Sequence, residues 1–124
     1  MAKKKKHILI IDDEPAWQKI TSIILKKRGY SVCAVGNGSD ALKALSSFKP
    51  DLILSDLRMP DMNGFDLLYN LKQIPSASST PVVFFTAIDD YEARKEAKKL
   101  GAVDFLVKPY DEEEISLILS KYLP

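Results

Sequence analysis

The stretch ILIIDDEP, residues 8–15, joins a run of branched apolar side chains directly to three carboxylates. The apolar run is typical of a strand that is covered on both faces of a sheet. Carboxylates this close repel one another, and each resists removal from water. We therefore expect Asp12 and Asp13 to mark a cation site. Pro15 suits the first turn of a following helix, and we place Glu14 at that helix start, outside the inner shell of the metal.

Apolar runs alternate with helical patterns along the rest of the chain. The predicted strands are HILII (7–11), SVCAV (31–35), DLILS (51–55), VVFFT (82–86) and DFLV (104–107). Between them, apolar residues recur at helical spacing, and we assign these stripes to the core: Trp17, Ile20, Ile23 and Ile24; Ala41, Ala44, Leu45 and Phe48; Leu67, Leu68 and Leu71; Ala93, Ala97 and Leu100; Ile115, Ile118, Leu119 and Tyr122. The fivefold βα order predicts a mostly parallel sheet with helices on both faces.

Composition indicates one ordinary globular domain. The 124 residues are 46% hydrophobic, and 18 Lys and Arg nearly balance 17 Asp and Glu. This balance argues against direct nucleic-acid binding, and the apolar runs are too short for membrane insertion. We interpret residues 1–6, with their four lysines, as a basic tail and residues 7–124 as the folded domain. The single cysteine, Cys33, excludes an internal disulfide, should be buried, and fits a cytoplasmic location.

Polar side chains follow four of the predicted strands. Asp12 and Asp13, Asp56, Thr86 and Lys108 each stand at a strand end, and parallel strands bring these ends to one edge. Clustered carboxylates suit Mg²⁺, Lys108 can pair with a phosphate, and the Thr86 hydroxyl can donate to an anionic oxygen. The pattern predicts a site that accepts a phosphoryl group on an aspartate while a metal and Lys108 neutralise charge.

Four motifs together resemble the receiver domain of two-component response regulators. They are IIDDEP (10–15), LILSDLRMPDMNG (52–64), FFTA (84–87) and GAVDFLVKPY (101–110). The resemblance implies a CheY-like, flavodoxin-like (βα)5 three-layer sandwich with strand order 2-1-3-4-5. It also implies a phosphorylation-dependent signalling switch. A histidine kinase or a histidine phosphotransfer protein would supply the phosphoryl group.

The resemblance further assigns the site residues. Asp56 would be the phosphoacceptor. Mg²⁺ would be bound directly by Asp13, Asp56 and the backbone carbonyl of Arg58, while Asp12 would act through a metal-bound water. Lys108 would contact the phosphoryl group.

Signal output would depend on two further residues. Thr86 would turn toward the phosphoryl group and Phe105 would follow inward, which changes the face formed by the fourth helix, fifth strand and fifth helix. The resemblance also implies a cis bond before Pro109. Arg58 and Ile88 would flank the site and influence hydrolysis of the acyl phosphate.

Two alternatives are kept. A Mg²⁺-dependent phosphohydrolase of the haloacid-dehalogenase type also uses an aspartate nucleophile, but on its first strand within D-x-D, where this chain has DDEP. The second alternative is a receiver that is never phosphorylated and serves only as a docking module. The acidic turn argues against FMN. We expect no catalysis beyond the domain's own phosphotransfer and autodephosphorylation.

Two features of the chain bear on the phosphoryl donor and on the downstream output. His7, the only histidine, opens the first strand at the edge away from the crevice, so we expect the phosphohistidine on another protein. The last predicted helix reaches residue 124, so we expect no output segment in this chain. A phosphorylation-dependent dimer and the downstream partner are left open.

Overall fold

The computed structural model describes residues 5–86 and 91–124. This part of the chain contains five strands, which are β1 His7–Ile11, β2 Ser31–Val35, β3 Leu52–Asp56, β4 Val82–Thr86 and β5 Asp104–Val107. It also contains five helices, which are α1 Pro15–Lys27, α2 Gly38–Ala44, α3 Gly64–Lys72, α4 Tyr91–Lys99 and α5 Glu112–Tyr122. Four predicted strands have the predicted bounds, and β3 lies one residue later, so that it includes Asp56.

The five strands form one parallel sheet in the order β2-β1-β3-β4-β5, as predicted. One buried apolar cluster joins the sheet to α2, α3 and α4, through residues such as Ala41, Leu67 and Ala97. A second cluster joins the opposite face to α1 and α5, through Leu25 and Ile115. The flavodoxin-like three-layer fold is therefore confirmed. Across the described residues, each helix is too short or too polar to cross a bilayer.

The predicted core face of α1 was partly wrong. Ile20 and Ile23 are 46% and 56% exposed, whereas Thr21 and Leu25 are fully buried. Trp17 and Ile24 do pack against the core. The helix meets the sheet along the line through residues 17, 21 and 25, so residues 20 and 23 turn toward solvent. Which side of an apolar helix faces the sheet is decided by packing, and spacing alone does not fix it.

Cys33 also differs from its prediction, because it is half-buried instead of buried. It lies on β2, the edge strand that pairs only with β1 within the described sheet. Partial burial still raises the pKa of the thiol above its usual value, which favours the less reactive protonated form.

Helix ends follow the signals in the sequence. Asp111 Oδ1 accepts a hydrogen bond of 2.9 Å from the Glu114 backbone N–H at the start of α5. Gly29 and Gly101 follow α1 and α4 with φ of 92° and 109°, a conformation that glycine adopts without a Cβ penalty. These stops turn each helix back to the sheet, so that the next strand begins at the edge opposite the predicted site.

Candidate functional site

The predicted site residues converge at the carboxyl edge of the sheet. Asp12 follows β1, Asp56 ends β3, Thr86 ends β4 and Lys108 follows β5. The strand pairing continues past the strand ends, since the Asp12 N–H donates to the Val35 carbonyl at 3.0 Å and the Lys108 N–H donates to that of Thr86 at 2.6 Å. The backbone at Asp12 and at Lys108 is therefore hydrogen-bonded to a neighbouring strand beyond the end of its own strand. The Lys108–Pro109 bond is cis, as the resemblance implied.

Lys108 is the central cation of the site. Its Nζ lies 2.9 Å from Asp12 Oδ2 and 3.0 Å from Asp56 Oδ1. A third carboxylate, from Glu14, lies 3.1 Å away. Lys108, Asp12 and Asp56 are buried, whereas Glu14 is exposed at the rim. One ammonium therefore faces three carboxylates, which leaves the site negative and able to bind a further cation.

Burial, together with a hydrogen bond to Asp12, raises the pKa of Asp56 to about 8, against the opposing effect of Lys108. Burial by itself would lower the pKa of Lys108, but its hydrogen bonds to Asp12 and Asp56 outweigh burial and leave that pKa above the usual value. Two buried carboxylates in contact cannot both be charged without cost. Among the residues that the structure describes, Lys108 is the cation that pairs with these carboxylates.

The acidic cluster fits a divalent cation. Asp12, Asp13, Glu14 and Asp56 each offer a carboxylate oxygen, and these four oxygens lie within 4.8 Å of one another. A set made only of oxygen donors suits hard cations such as Mg²⁺ or Ca²⁺. Asp13 and Glu14 are exposed, so the cluster is open to solvent on one side. Glu14 is the N-cap residue of α1, as predicted, yet it also belongs to the cluster and pairs with Lys108.

Sequence reasoning missed an aromatic wall, which we define as Trp17, Phe85 and Tyr110. The Tyr110 ring lies 4.6 Å from that of Trp17 and 5.0 Å from that of Phe85, centre to centre. Lys108 Nζ lies over Trp17 at 5.5 Å and over Phe85 at 5.9 Å from the ring centres. Helical spacing alone assigns Trp17 to the core. Its position four residues after Asp13 was the available signal.

The loop between β3 and α3 is held at both ends. The Asp61 carboxylate accepts hydrogen bonds from the Gly38 and Ser39 backbone N–H groups at 3.1 and 2.9 Å. The Gly64 N–H donates to the Leu57 carbonyl at 2.7 Å, and a Cβ at Gly64 would lie 2.7 Å from the Phe84 ring. Only glycine lets α3 begin this close to Asp56. Arg58 lies within this fixed loop and its side chain is exposed.

The residues assigned to the switch lie on the neighbouring strands β4 and β5. Thr86 is half-buried at the end of β4, where it pairs with Val107. Phe105 is half-buried on β5, and the Arg94 guanidinium lies over its ring at 5.4 Å. Ile88 lies outside the described residues. His7 lies at the opposite edge of the sheet, where its N–H donates to Asp51 and its ring contacts Phe48, so the structure does not bring it to the site.

Residues 8–120 match the family described as "Response regulator receiver domain". The chain belongs to this family. Receiver domains are the phosphorylated signalling units of two-component systems, and they bind Mg²⁺ in an acidic pocket. This receiver domain carries a matching cluster of carboxylates. The family assignment favours a receiver over the phosphohydrolase alternative.

Known proteins of this kind are similar along nearly the whole chain. Sporulation initiation phosphotransferase F of Bacillus subtilis (strain 168) is 34% identical over 117 residues, which are 94% of this receiver domain and 93% of that protein. The chemotaxis response regulator CheY4 of Vibrio cholerae superposes with a TM-score of 0.91 at 29% identity, covering 97% of this chain and 100% of that one.

A second similar structure contains a metal. The receiver domain of the sensor histidine kinase PA1611 from Pseudomonas aeruginosa PAO1 superposes with a TM-score of 0.86 at 26% identity, covering 96% of this chain and 98% of that one. It has a magnesium ion coordinated in its active-site cleft. The chain spans only 24% to 49% of the length of four other bacterial regulators that it matches. Receiver domains thus occur both alone and within longer proteins.

The repulsion between the buried carboxylates of Asp12 and Asp56 leads to a prediction about the stability of the receiver domain. Between about pH 4 and pH 8, folded Asp56 retains a proton that the unfolded chain releases, so stability falls as pH rises through this range. We expect Asp56→Asn to remove this fall. At pH 7 in the presence of a chelator, the free energy of unfolding of the variant should be at least about 1 kcal/mol higher than that of the parent, because a shift of even one pKa unit corresponds to about 1.4 kcal/mol. Urea unfolding at pH 5 and pH 7 measures it.

Asp13→Asn is the matched control, because it removes an exposed carboxylate of the same cluster. Solvent screens that charge, so we expect a smaller change. If the Asp56 variant is no more stable than the parent and keeps the parent's pH dependence, repulsion between the Asp12 and Asp56 carboxylates is contradicted.

Proposed function

We propose that this receiver domain is a phosphorylation-controlled switch in which Asp56 accepts a phosphoryl group from a phosphohistidine. The observation that supports this most directly is the contact of 3.0 Å between Asp56 Oδ1 and Lys108 Nζ inside the acidic cluster. A carboxylate beside a fixed ammonium can act as a nucleophile while the cation balances the charge that arrives. The same arrangement disfavours a docking receiver that is never phosphorylated.

The transfer exchanges one bond for another. The phosphorus–nitrogen bond of the phosphohistidine breaks, its electron pair stays with the imidazole, and an Asp56 oxygen forms the new bond to phosphorus. Lys108 binds the phosphoryl oxygens, and the Thr86 hydroxyl donates to one of them. Water later attacks phosphorus and releases inorganic phosphate from Asp56. The receiver domain therefore catalyses only its own phosphotransfer and autodephosphorylation.

The donor belongs to another protein. The position of His7 at the opposite edge of the sheet supports a donor in trans, either a histidine kinase or a histidine phosphotransfer protein. Phosphoryl transfer requires the donor phosphorus to reach Asp56, which lies at the edge where the exposed side chains of Asp13 and Glu14 border the cluster. We place the histidine donor at this edge.

Mg²⁺ completes the site in this proposal. Asp13, Asp56 and the backbone carbonyl of Arg58 would bind it directly, and Asp12 would orient a metal-bound water. When bound, the cation supplies positive charge beside the phosphoryl oxygens. Asp12 and Asp56 are held by the sheet, whereas Asp13 lies at the solvent-exposed rim where a hydrated cation would enter. Glu14, which pairs with Lys108, stays outside the inner shell.

Signalling output follows from the coupling of the site to one face of the domain. We propose that Thr86 and Phe105 move together after phosphorylation and reshape the face made by α4, β5 and α5. Support comes from the backbone, since Lys108 bonds to the Thr86 carbonyl and Phe105 pairs with Phe84 in the sheet. Movement at Thr86 therefore has a short route to β5.

We propose a cytoplasmic location, with residues 1–6 as a basic tail beside the domain formed by residues 7–124. The receiver acts on its target through protein contacts, without direct binding to nucleic acid and without membrane insertion. Phosphorylation-dependent dimerisation would use the same face of α4, β5 and α5.

Labelling identifies the phosphoacceptor. Incubation with acetyl phosphate and Mg²⁺ should add one phosphoryl group, a mass of about 80 Da, that is labile in base. We expect Asp56→Asn to abolish this addition, because the amide is not a nucleophile for this transfer. Intact-protein mass spectrometry measures it. Asp66→Asn, at an exposed position of α3, is the matched control and should label like the parent; equal labelling of the Asp56 variant would contradict the assignment.

Metal titration distinguishes Asp13 from Glu14. Trp17 is the only tryptophan and lies 5.5 Å from the Lys108 ammonium, so its fluorescence should respond when a divalent cation enters the cluster. We expect Asp13→Asn to weaken Mg²⁺ binding at least about tenfold, because loss of a residue that only supports a metal ligand already lowers metal affinity by about that much. Glu14→Gln should change affinity much less. Equal losses in both variants would place Glu14 in the inner shell.

Thr86→Ala separates phosphorylation from output. The variant keeps Asp56, Lys108 and the acidic cluster, so it should still be phosphorylated, but it loses the hydroxyl that links the phosphoryl group to β5. In NMR spectra we expect the phosphorylation-dependent shifts of Phe105 and α4 to shrink to less than about half of the parent's. Thr86→Ser, which restores the hydroxyl, should recover them. Full shifts in Thr86→Ala would break the proposed link.

A further inference from the structure

We propose that Trp17 is a positioning residue, whose indole ring holds the Lys108 ammonium in place for phosphoryl transfer to Asp56. The inference rests on the proposed function, because it needs Asp56 to be the acceptor. It concerns the aromatic wall of Trp17, Phe85 and Tyr110, which lies beside the acidic cluster. Rings of the wall and the carboxylates of the cluster both lie close to the Lys108 ammonium.

The ammonium lies within reach of two ring faces. Lys108 Nζ is 5.5 Å from the centre of the Trp17 ring and 5.9 Å from that of Phe85. A cation within about 6 Å of an aromatic face is attracted by the negative charge of that face, most strongly by tryptophan. A lysine side chain has four flexible carbons, so contacts with its carboxylate partners leave its path open. The two ring faces add contacts that restrict that path.

The wall is itself fixed in two places. Tyr110 packs between Trp17 and Phe85, and its hydroxyl lies 2.6 Å from Thr21 Oγ1 in the buried interior. Trp17 and Thr21 are four residues apart on α1, so they lie on the same side of that helix. α1 therefore holds Tyr110 at two points. Because Tyr110 is only two residues after Lys108, the same contacts also tie the lysine backbone to α1.

The attraction between the Trp17 ring and Lys108 matters most when a divalent cation binds to the carboxylates. In the unphosphorylated domain, Asp12 and Asp56 hold Lys108 at 2.9 and 3.0 Å. A divalent cation competes for these carboxylate oxygens, which weakens their pull on the lysine. The attraction to a neutral ring does not depend on those oxygens. Trp17 therefore keeps the ammonium near Asp56 during the step in which its other partners engage the metal.

Fluorination of the ring tests this attraction separately from packing. Trp17 is the only tryptophan, so biosynthetic replacement by monofluorinated or tetrafluorinated tryptophan changes this ring alone. Fluorine withdraws charge from the ring face with little change in size. At saturating Mg²⁺ we expect the rate constant for labelling by acetyl phosphate to fall stepwise, by about fivefold with the tetrafluorinated ring. The Mg²⁺ affinity, measured by calorimetry, should stay within about twofold, because the metal ligands are unchanged.

The control is the same series in Lys108→Met. Without the ammonium there is no cation to attract, so the rate should be low and independent of fluorination. In the parent background, Trp17→Phe should keep more activity than Trp17→Leu, because it retains a ring. A purely structural role predicts equal rates across a folded fluorinated series, which would overturn the inference, as would a stepwise fall that persists in Lys108→Met. Absence of any labelling in the parent would instead overturn the proposed function.

Discussion

The buried contact of Lys108 with Asp12 and Asp56 is the interaction on which this site depends. Two carboxylates that end adjacent strands of a dry sheet would repel each other if nothing lay between them. One ammonium that comes from the end of β5 meets both at about 3 Å. It offsets part of their charge and leaves the remainder for a divalent cation. The site therefore keeps a net negative charge, which a bound divalent cation can balance.

This constraint explains features that lie outside the acidic cluster. Asp61 pins the loop after β3 to the start of α2, and Gly64 lets α3 approach the sheet, so Asp56 has little freedom to move away from Asp12. The aromatic wall places two ring faces near the Lys108 ammonium. The first set of contacts keeps the two carboxylates close together, and the second keeps the cation that neutralises them nearby. A site of this kind responds to added charge by shifting its neighbours, which is what a switch requires.

Sequence patterns predicted most of the fold and the main site residues. The strand runs ended at Asp12, Thr86 and Lys108, and parallel topology required these ends to meet, so convergence followed from the order of elements. Two features did not follow. The exposed face of α1 at Ile20 and Ile23 depends on how the helix rotates against the sheet, since its apolar residues cover more than one face. The contact of Glu14 with Lys108 joins residues 94 positions apart and has no local signal.

The sequence by itself determined the layers of the fold, the edge at which its polar residues gather and the family to which it belongs. These depend on periodicity, strand order and motif spacing, which are properties of the chain read in order. Only the tertiary structure decided that Trp17 faces Lys108 instead of serving solely as core, and that Tyr110 bonds to Thr21. The reason is physical, because helical spacing shows only that an aromatic side chain is buried, and the packing of α1 against Tyr110, which follows β5, selects its direction.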